Sequence, residues 1–279
     1  MDRLGERQSA FNAASRGEWE AFAEHRACLS RALTRGASAA ARLCVLGAGN
    51  ANDLDLPLLL NAYREVHLVD LDARALALGV ERQGVATDPR IRLHGGVDVT
   101  AALGLLSGWT PTSELTPAEL EALAAWPASR AAPVLPGGFD RVASTCLLSQ
   151  ILETAAHALV RNHPQLSAAE AALLAGHFRL MSRLAAPGGE ALLAAEVVSS
   201  DTLPGLPNLS PDEVAGLLPK LRREGNHFRG VHPQQLLIKL RDDPTVGPLV
   251  TSAEILGPWR WRLHRRTYLV SALAFRLVR

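Results

Sequence analysis

The chain has 279 residues, a net charge of +1 and 48% hydrophobic residues. A nearly neutral chain has no general electrostatic attraction to nucleic acid or to a membrane surface. The first ten residues are mostly polar, and no uninterrupted apolar run reaches about 18 residues, which argues against a signal peptide and a membrane-spanning helix. We therefore expect a cytoplasmic protein with one large core, or with one core and a cap.

The cysteines indicate neither a disulfide framework nor a metal centre. Cys28, Cys44 and Cys146 are far apart in the sequence, and the last two lie in apolar, strand-like runs. The nine histidines and three cysteines show no paired ligand spacing, so we expect no metal site.

The N-terminal region, residues 8–35, has the apolar spacing of one or two amphipathic helices. These helices either pack on the main sheet or form a lid that brings His25 or Trp19 to a ligand pocket. The segment Gly36-Ala37-Ser38 is the expected hinge into the first strand.

A glycine-containing turn follows the first predicted strand, Arg42–Leu46. Gly47 and Gly49 allow close backbone approach to a ligand, and a helix predicted from about Asp53 to Ala62 would present free N–H groups nearby. A second strand, Val66–Val69, ends at Asp70, where a carboxylate would meet a ribose diol. Loop and acid together predict a cofactor that carries a nucleoside.

The rest of the chain continues the alternation of strand and helix. Three capping boxes, at Thr116, Ser167 and Ser210, predict helix starts, and the second of these helices would end at Pro187-Gly188-Gly189. Five strands joined by helices predict a parallel sheet, and two final strands read as an antiparallel hairpin. The further predicted strands are Ile91–Leu93, Phe139–Thr145, Glu190–Val198, 259–265 and Thr267–Val278.

This succession resembles the class I S-adenosylmethionine-dependent methyltransferase family over roughly Ala41 to Arg279. The segments that carry the resemblance are Val45-Leu46-Gly47-Ala48-Gly49-Asn50, Val69-Asp70, Asp98, Phe139-Asp140-Arg141-Val142 and Ala186-Pro187-Gly188-Gly189. The resemblance implies an α/β fold with a doubly wound, mostly parallel seven-stranded sheet and a C-terminal antiparallel hairpin. It also implies a helical extension or lid at 1–38 and a methyltransferase domain at 39–279, with helical insertions near 100–137 and 201–245.

The same resemblance assigns a set of cofactor-binding residues. Gly47, Ala48 and Gly49 would pass under the methionine part of S-adenosylmethionine, and Asp70 would accept both ribose hydroxyls. Two departures from the family pattern are Val45, where an acid is usual, and Ala51, which replaces the third glycine. The remaining residues assigned to the cofactor are Asn50, Asp53, Leu71, Asp98, Val99, Thr145 and Cys146.

Methyl transfer requires mainly that the acceptor be held in line with the methyl group, and a base is needed only when the acceptor carries a proton. Our preferred base is His227, in the excursion after the fifth strand, and Gln150 would orient the acceptor. His232, Glu196 and His25 are the other candidate bases.

Four functions stay open on the sequence. The expected one is methylation of an oxygen or nitrogen atom of a small molecule, and methylation of RNA or a peptide is the alternative. A non-catalytic protein that binds S-adenosylmethionine is a third, and an NAD(P)-dependent oxidoreductase is less favoured because the turn lacks the last glycine of that fingerprint. Two basic groups, at 220–229 and 260–266, are candidate anion sites or solvated surfaces.

Overall fold

The computed structural model describes residues 3–278, without the side chains of Arg3 and Gln8. The seven strands of this range are β1 (Arg42–Leu46), β2 (Glu65–Asp70), β3 (Ile91–Gly95), β4 (Phe139–Thr145), β5 (Ala185–Ser199), β6 (Val250–Leu263) and β7 (Arg266–Leu277). Its α-helices are α1 (Arg3–Ser15), α2 (Ala23–Thr34), α3 (Leu56–Ala62), α4 (Ala73–Arg82), α5 (Leu103–Ser107), α6 (Pro117–Trp126), α7 (Leu147–Leu159), α8 (Leu166–Leu184), α9 (Pro211–Ala215), α10 (Leu217–Glu224) and α11 (Pro233–Asp242).

The strands form one sheet in the order β3-β2-β1-β4-β5-β7-β6. The first five strands are parallel, while β7 runs antiparallel to both β5 and β6. The predicted fold class, a mostly parallel seven-stranded sheet with a C-terminal antiparallel hairpin, is therefore confirmed. The strand order changes direction between β1 and β4, and the carboxyl ends of these strands are the usual place for a ligand in an open α/β sheet.

Both faces of the central strands are buried, as parallel strands covered by helices require. Along β1, Leu43 and Val45 pack into one apolar cluster and Cys44 and Leu46 into another. The first cluster includes Leu29 from α2, and the second includes Phe178 from α8. Alternation of side chains along a strand sends neighbours to opposite faces, so the continuous apolar run at Leu43–Leu46 serves two cores at once.

Helix starts follow local side-chain chemistry in most places. Thr116 and Ser210 form the predicted capping boxes with Glu119 and Glu213. The expected capping box at Ser167 is absent, because α8 begins earlier, after Gln165, without a side-chain cap. The helix expected to begin near Asp53 starts at Leu56, and Asp55 caps it by accepting from the N–H of Leu58.

Two strands are longer than their sequence patterns predicted. The segment Pro187-Gly188-Gly189 was expected to precede the fifth strand, but it lies within β5, where the pairing with β4 shifts register between Phe139 and Arg141. β6 begins at Val250 rather than near Trp259, since its first half pairs with β7 while several of its side chains face solvent. A half-exposed strand has little apolar signal, which explains the missed start.

Candidate functional site

The turn after β1 is tied to the end of β2. The backbone N–H groups of Gly47 and Ala48 donate to the carbonyl of Val69 at 2.9 and 3.1 Å, and the N–H of Gly49 donates to the Asp70 carboxylate at 2.8 Å. Gly47 and Gly49 have φ angles of +75° and +47°, a region that non-glycine residues adopt only with strain. The predicted meeting of loop and acid is thus present in the geometry.

Close packing explains why small residues surround this turn. A Cβ atom on Gly47 would lie 2.8 Å from the Leu147 Cβ, and one on Gly79 of α4 would lie 2.5 Å from the Asn50 carbonyl oxygen. Ala51, at the place of the missing third glycine, keeps a left-handed backbone with φ of +51°. The turn therefore retains its glycine-like shape at Ala51 without the glycine.

Asp70 is surrounded by donors from three directions. Besides Gly49, it accepts from the N–H of Asp72 at 2.8 Å and from the Asn12 side chain of α1 at 3.4 Å. Burial raises the pKa of Asp70 above its usual value, opposed by these hydrogen bonds. The long Asn12 contact is the weakest of the three and marks where another donor can reach the carboxylate.

Helix α1 lies across the turn, a contact that sequence reasoning missed. The Asn50 side chain donates to the Asn12 carbonyl at 2.6 Å, and the Asn52 side chain donates to the Ser15 carbonyl at 2.7 Å. These bonds explain why two asparagines follow the glycines. The Oδ1 atom of Asn50 is buried and has no hydrogen-bond partner among the described residues.

A narrow cleft of about 70 Å³ runs from Asp70 along the ends of β2 and β3. It brings together several predicted cofactor residues, and Asn12 closes one end of it. The Asp98 carboxylate is already used locally, since it accepts from the N–H groups of Thr100 and Leu103, each at 2.9 Å. The predicted residues that line this cleft are Gly47, Asp70, Leu71, Asp98, Val99 and Gln150.

A wider cavity of about 640 Å³ opens on the other side of the glycine turn. Its walls include aromatic side chains from the N-terminal helices and the C-terminal hairpin, among them Phe11, Phe22, Trp261 and Tyr268. Its predicted cofactor residues are Gly47, Ala48, Gly49, Asn50, Asp53, Thr145 and Cys146. Gln150 lines both this cavity and the cleft, so it stands at their junction.

Two buried carboxyl groups face the wide cavity. Burial raises the pKa of Asp53 to about 7 and that of Glu196 to about 7 as well. Burial raises the pKa of the Cys146 thiol well above its usual value, and the negative charges of Glu196 and Asp53 raise it further. Cys146 itself has φ of +53° at the start of α7, where its N–H donates to the Ala194 carbonyl at 3.0 Å.

A further cavity of about 540 Å³ adjoins the wide one, with Phe11, Gln150, Glu196, Arg266 and Tyr268 lining both. Its outer wall comes from α7, α8 and the segment after β5. Glu196 therefore lies where the two spaces meet, near the β-bulge that shifts the β5–β7 register between Glu196 and Val198.

The structure places the preferred base, His227, apart from these spaces. Its ring lies 4.9 Å from that of His232, its Nδ1 is 3.1 Å from the Phe228 carbonyl, and it lines none of the three cavities described above. His232 caps α11. His25 does line the wide cavity, but its Nδ1 accepts from the Trp259 indole at 2.9 Å, and burial lowers its pKa to about 3.

Across residues 3–278, no group of three or more His, Cys, Asp or Glu side chains is placed to hold a metal ion. Over the same range, no helix is both long enough and apolar enough to span a bilayer.

No known family model matches the chain, and no curated protein matches it in sequence. Among solved structures, it is similar to the N-methyltransferase NodS from Bradyrhizobium japonicum in complex with S-adenosylhomocysteine, at 12% identity, 91% of this chain, 85% of that chain and a TM-score of 0.42. It is also similar to the YcgJ protein from Bacillus subtilis, at 13% identity, 90% of this chain, 97% of that chain and a TM-score of 0.41. A third is an rRNA methylase from Streptococcus thermophilus, at 9% identity, 90% of this chain, 94% of that chain and a TM-score of 0.40. Likenesses this distant carry no conclusion about what this chain binds or does.

Proposed function

We propose that the protein is a methyltransferase that uses S-adenosylmethionine to methylate an oxygen or nitrogen atom of a small molecule. The observation that carries the proposal is the contact between the Gly49 N–H and the Asp70 carboxylate at 2.8 Å, which puts the turn and the acid at one end of one cleft. Such a pair suits a nucleoside whose ribose hydroxyls bind the carboxylate.

The residues present fit such a cofactor. Gly47 and Gly49 place no side chain at their two positions of the turn, and the unpartnered Oδ1 of Asn50 is an acceptor for an ammonium or hydroxyl group. Asp70 would exchange the Asn12 contact for ribose hydroxyls, while Asp98 and Val99 would border the base. Asp53 would face the methionine end, in place of the acid that Val45 does not supply.

Methyl transfer requires the protein mainly to position the acceptor atom. Bound S-adenosylmethionine supplies an activated methyl group on a sulfonium. Thr145, Cys146 and Gln150 line the space beyond the turn, where an acceptor atom would be held in line with that methyl group.

The charges near the cavities favour a small acceptor over RNA. Arg229 is paired with Glu170 at 3.0 Å and Arg266 with Asp201 at 2.9 Å, so both arginines already have an acidic partner. Binding of a phosphate chain depends on basic groups that are free to neutralise it. A concave space with aromatic walls is typical of small-molecule sites.

Calorimetric titration tests the proposal directly. S-adenosylhomocysteine should bind with a 1:1 stoichiometry and raise the melting temperature, whereas NAD should do neither. Binding of NAD in preference to S-adenosylhomocysteine would replace the methyltransferase assignment with the oxidoreductase one. Binding of S-adenosylhomocysteine without methyl transfer to any member of an amine and alcohol panel would favour the non-catalytic alternative.

A further inference from the structure

We propose that Glu196 is the docking point for the acceptor, and that the acceptor is a primary or secondary amine with an apolar body. The proposal deepens the function proposed above and rests on it for the methyl-transfer step. The binding of an amine at Glu196 is a separate claim that can be tested without the cofactor.

The buried carboxyl group of Glu196 lacks a cationic partner among the described side chains. Glu196 is only 7% exposed, and the Ser149 hydroxyl donates to it at 2.6 Å. Among the side chains that the structure describes, no lysine, arginine or histidine forms an ion pair with it. A buried carboxylate without a cation is costly, and a ligand that brings an ammonium group removes that cost.

The other acids of the adjoining cavity are already paired with arginines. In the adjoining cavity of about 540 Å³, Glu153 pairs with Arg161 at 2.7 Å and Glu170 pairs with Arg229 at 3.0 Å. Arg266, which lines the same space as Glu196, is engaged by Asp201 at 2.9 Å. Glu196 is thus the carboxyl group at this junction that can pair with a cationic ligand.

The walls around Glu196 are aromatic. Phe11 and Tyr268 line both cavities at this point, and Trp261 and Phe22 line the wider one. The rings of Trp261 and Tyr268 have centroids 5.3 Å apart. Aromatic walls bury the apolar body of a ligand and also favour a nearby cation.

A protonated amine pairs with the ionised Glu196 carboxylate and gives it one N–H proton, which frees the nitrogen lone pair. That lone pair forms the new N–C bond to the methyl group as the S–C bond breaks, so the positive charge passes to the methylated nitrogen and a neutral thioether leaves. Gln150, the residue after Ser149 on α7, lines the same junction and would orient the nitrogen.

Binding of two isosteric probes, benzylamine and benzyl alcohol, tests the docking claim by saturation-transfer NMR on the full chain. Benzylamine should bind the wild type at least about tenfold more tightly than it binds Glu196→Gln, because the variant keeps the shape and loses the charge. Benzyl alcohol should bind both proteins equally and weakly. The matched control is Glu170→Gln, which removes a carboxylate already paired with Arg229 and should leave benzylamine binding unchanged.

Equal binding of benzylamine to the wild type and to Glu196→Gln, or no binding to the wild type, would overturn the proposal, provided circular dichroism shows the variant folded. A parallel titration with S-adenosylhomocysteine separates the two claims. Loss of cofactor binding in every protein would refute the methyltransferase assignment while the benzylamine comparison still reports on Glu196. Normal cofactor binding with no charge-dependent amine binding would refute only the amine assignment.

Discussion

The backbone N–H of Gly49 donates to the Asp70 carboxylate at 2.8 Å, across two neighbouring parallel strands. Together with the bonds from the Gly47 and Ala48 N–H groups to the Val69 carbonyl, this bond holds the turn after β1 against the end of β2. The other oxygen of the Asp70 carboxylate accepts from Asn12 and Asp72. The proposed cofactor site depends on this arrangement.

Replacement of Asp70 by Asn should weaken the binding of S-adenosylhomocysteine by about 10- to 100-fold, which corresponds to roughly 1–3 kcal/mol for lost charged hydrogen bonds. The physical reason is that an amide cannot accept two hydroxyl donors while it also accepts from Gly49. Calorimetry measures the affinity. Asp72→Asn is the control, because the Asp72 side chain caps α4 by accepting from Arg74 and Ala75. The variant keeps the backbone N–H that donates to Asp70 and should bind normally. Unchanged affinity in folded Asp70→Asn would remove this residue from the ribose role.

Replacement of Asn12 by Ala should tighten the binding of S-adenosylhomocysteine by about 2- to 10-fold, within the usual free energy of one hydrogen bond. The Asn12 side chain contacts Asp70 at 3.4 Å and closes the end of the cleft, so a ribose must displace it. Titration calorimetry of both proteins measures the difference. Weaker binding by the variant would mean instead that Asn12 contacts the bound cofactor.

Replacement of Gly47 by Ala should destabilise the fold by roughly 2–4 kcal/mol, from left-handed backbone strain and overpacking together. The new Cβ would approach the Leu147 Cβ to 2.8 Å, at a φ of +75°. Gly84→Ala is the matched control, since Gly84 has φ of +69° and open space around its Cβ position, so only the backbone strain should remain. Urea unfolding of both variants measures the difference, and equal losses would contradict the packing argument.

Replacement of Glu196 by Gln should make the protein less sensitive to alkaline pH. Burial raises the folded-state pKa of Glu196 from 4.5 to about 7, so between these values the native state holds a proton that the unfolded chain has released. Stability therefore falls as the pH rises through that window, by roughly 2–4 kcal/mol once the pH exceeds 7.

Urea unfolding at pH 5 and pH 8 measures this effect. Between pH 5 and pH 8, the free energy of unfolding should fall more for the wild type than for Glu196→Gln. Asp53, whose pKa burial also raises to about 7, should account for much of the slope that the variant retains. Parallel pH dependence of the two proteins would show that Glu196 is ionised in the native state over the whole range.

Local sequence chemistry predicted several elements correctly. The bounds of β1, Arg42–Leu46, and of β4, Phe139–Thr145, agree with the structure because both are buried runs that end abruptly in polar or glycine residues. The caps at Thr116 and Ser210 were correct for the same local reason. The failed cap at Ser167 shows the limit, since packing of α8 starts that helix at Leu166 without side-chain help.

Some residues of the candidate site could also be predicted from local sequence patterns, and others could not. The spacing of glycines and acids identified Gly47, Gly49 and Asp70, because residues at the ends of adjacent parallel strands must converge. The preference for His227 used only its place in the excursion after the fifth strand, and the fold puts it beside His232 instead. Its assigned role stays a prediction, and His227 lines none of the three cavities described above.

The sequence by itself determined the strand and helix order and the convergence of the loop after β1 on the acid after β2, since both follow from local patterns and right-handed crossovers. Only the tertiary structure decided that α1 lies over that loop through Asn12 and that Glu196 is buried where two cavities meet, with no cationic partner among the described side chains. The physical reason is that both facts depend on contacts between segments far apart in the chain, for which no short-range pattern carries a signal.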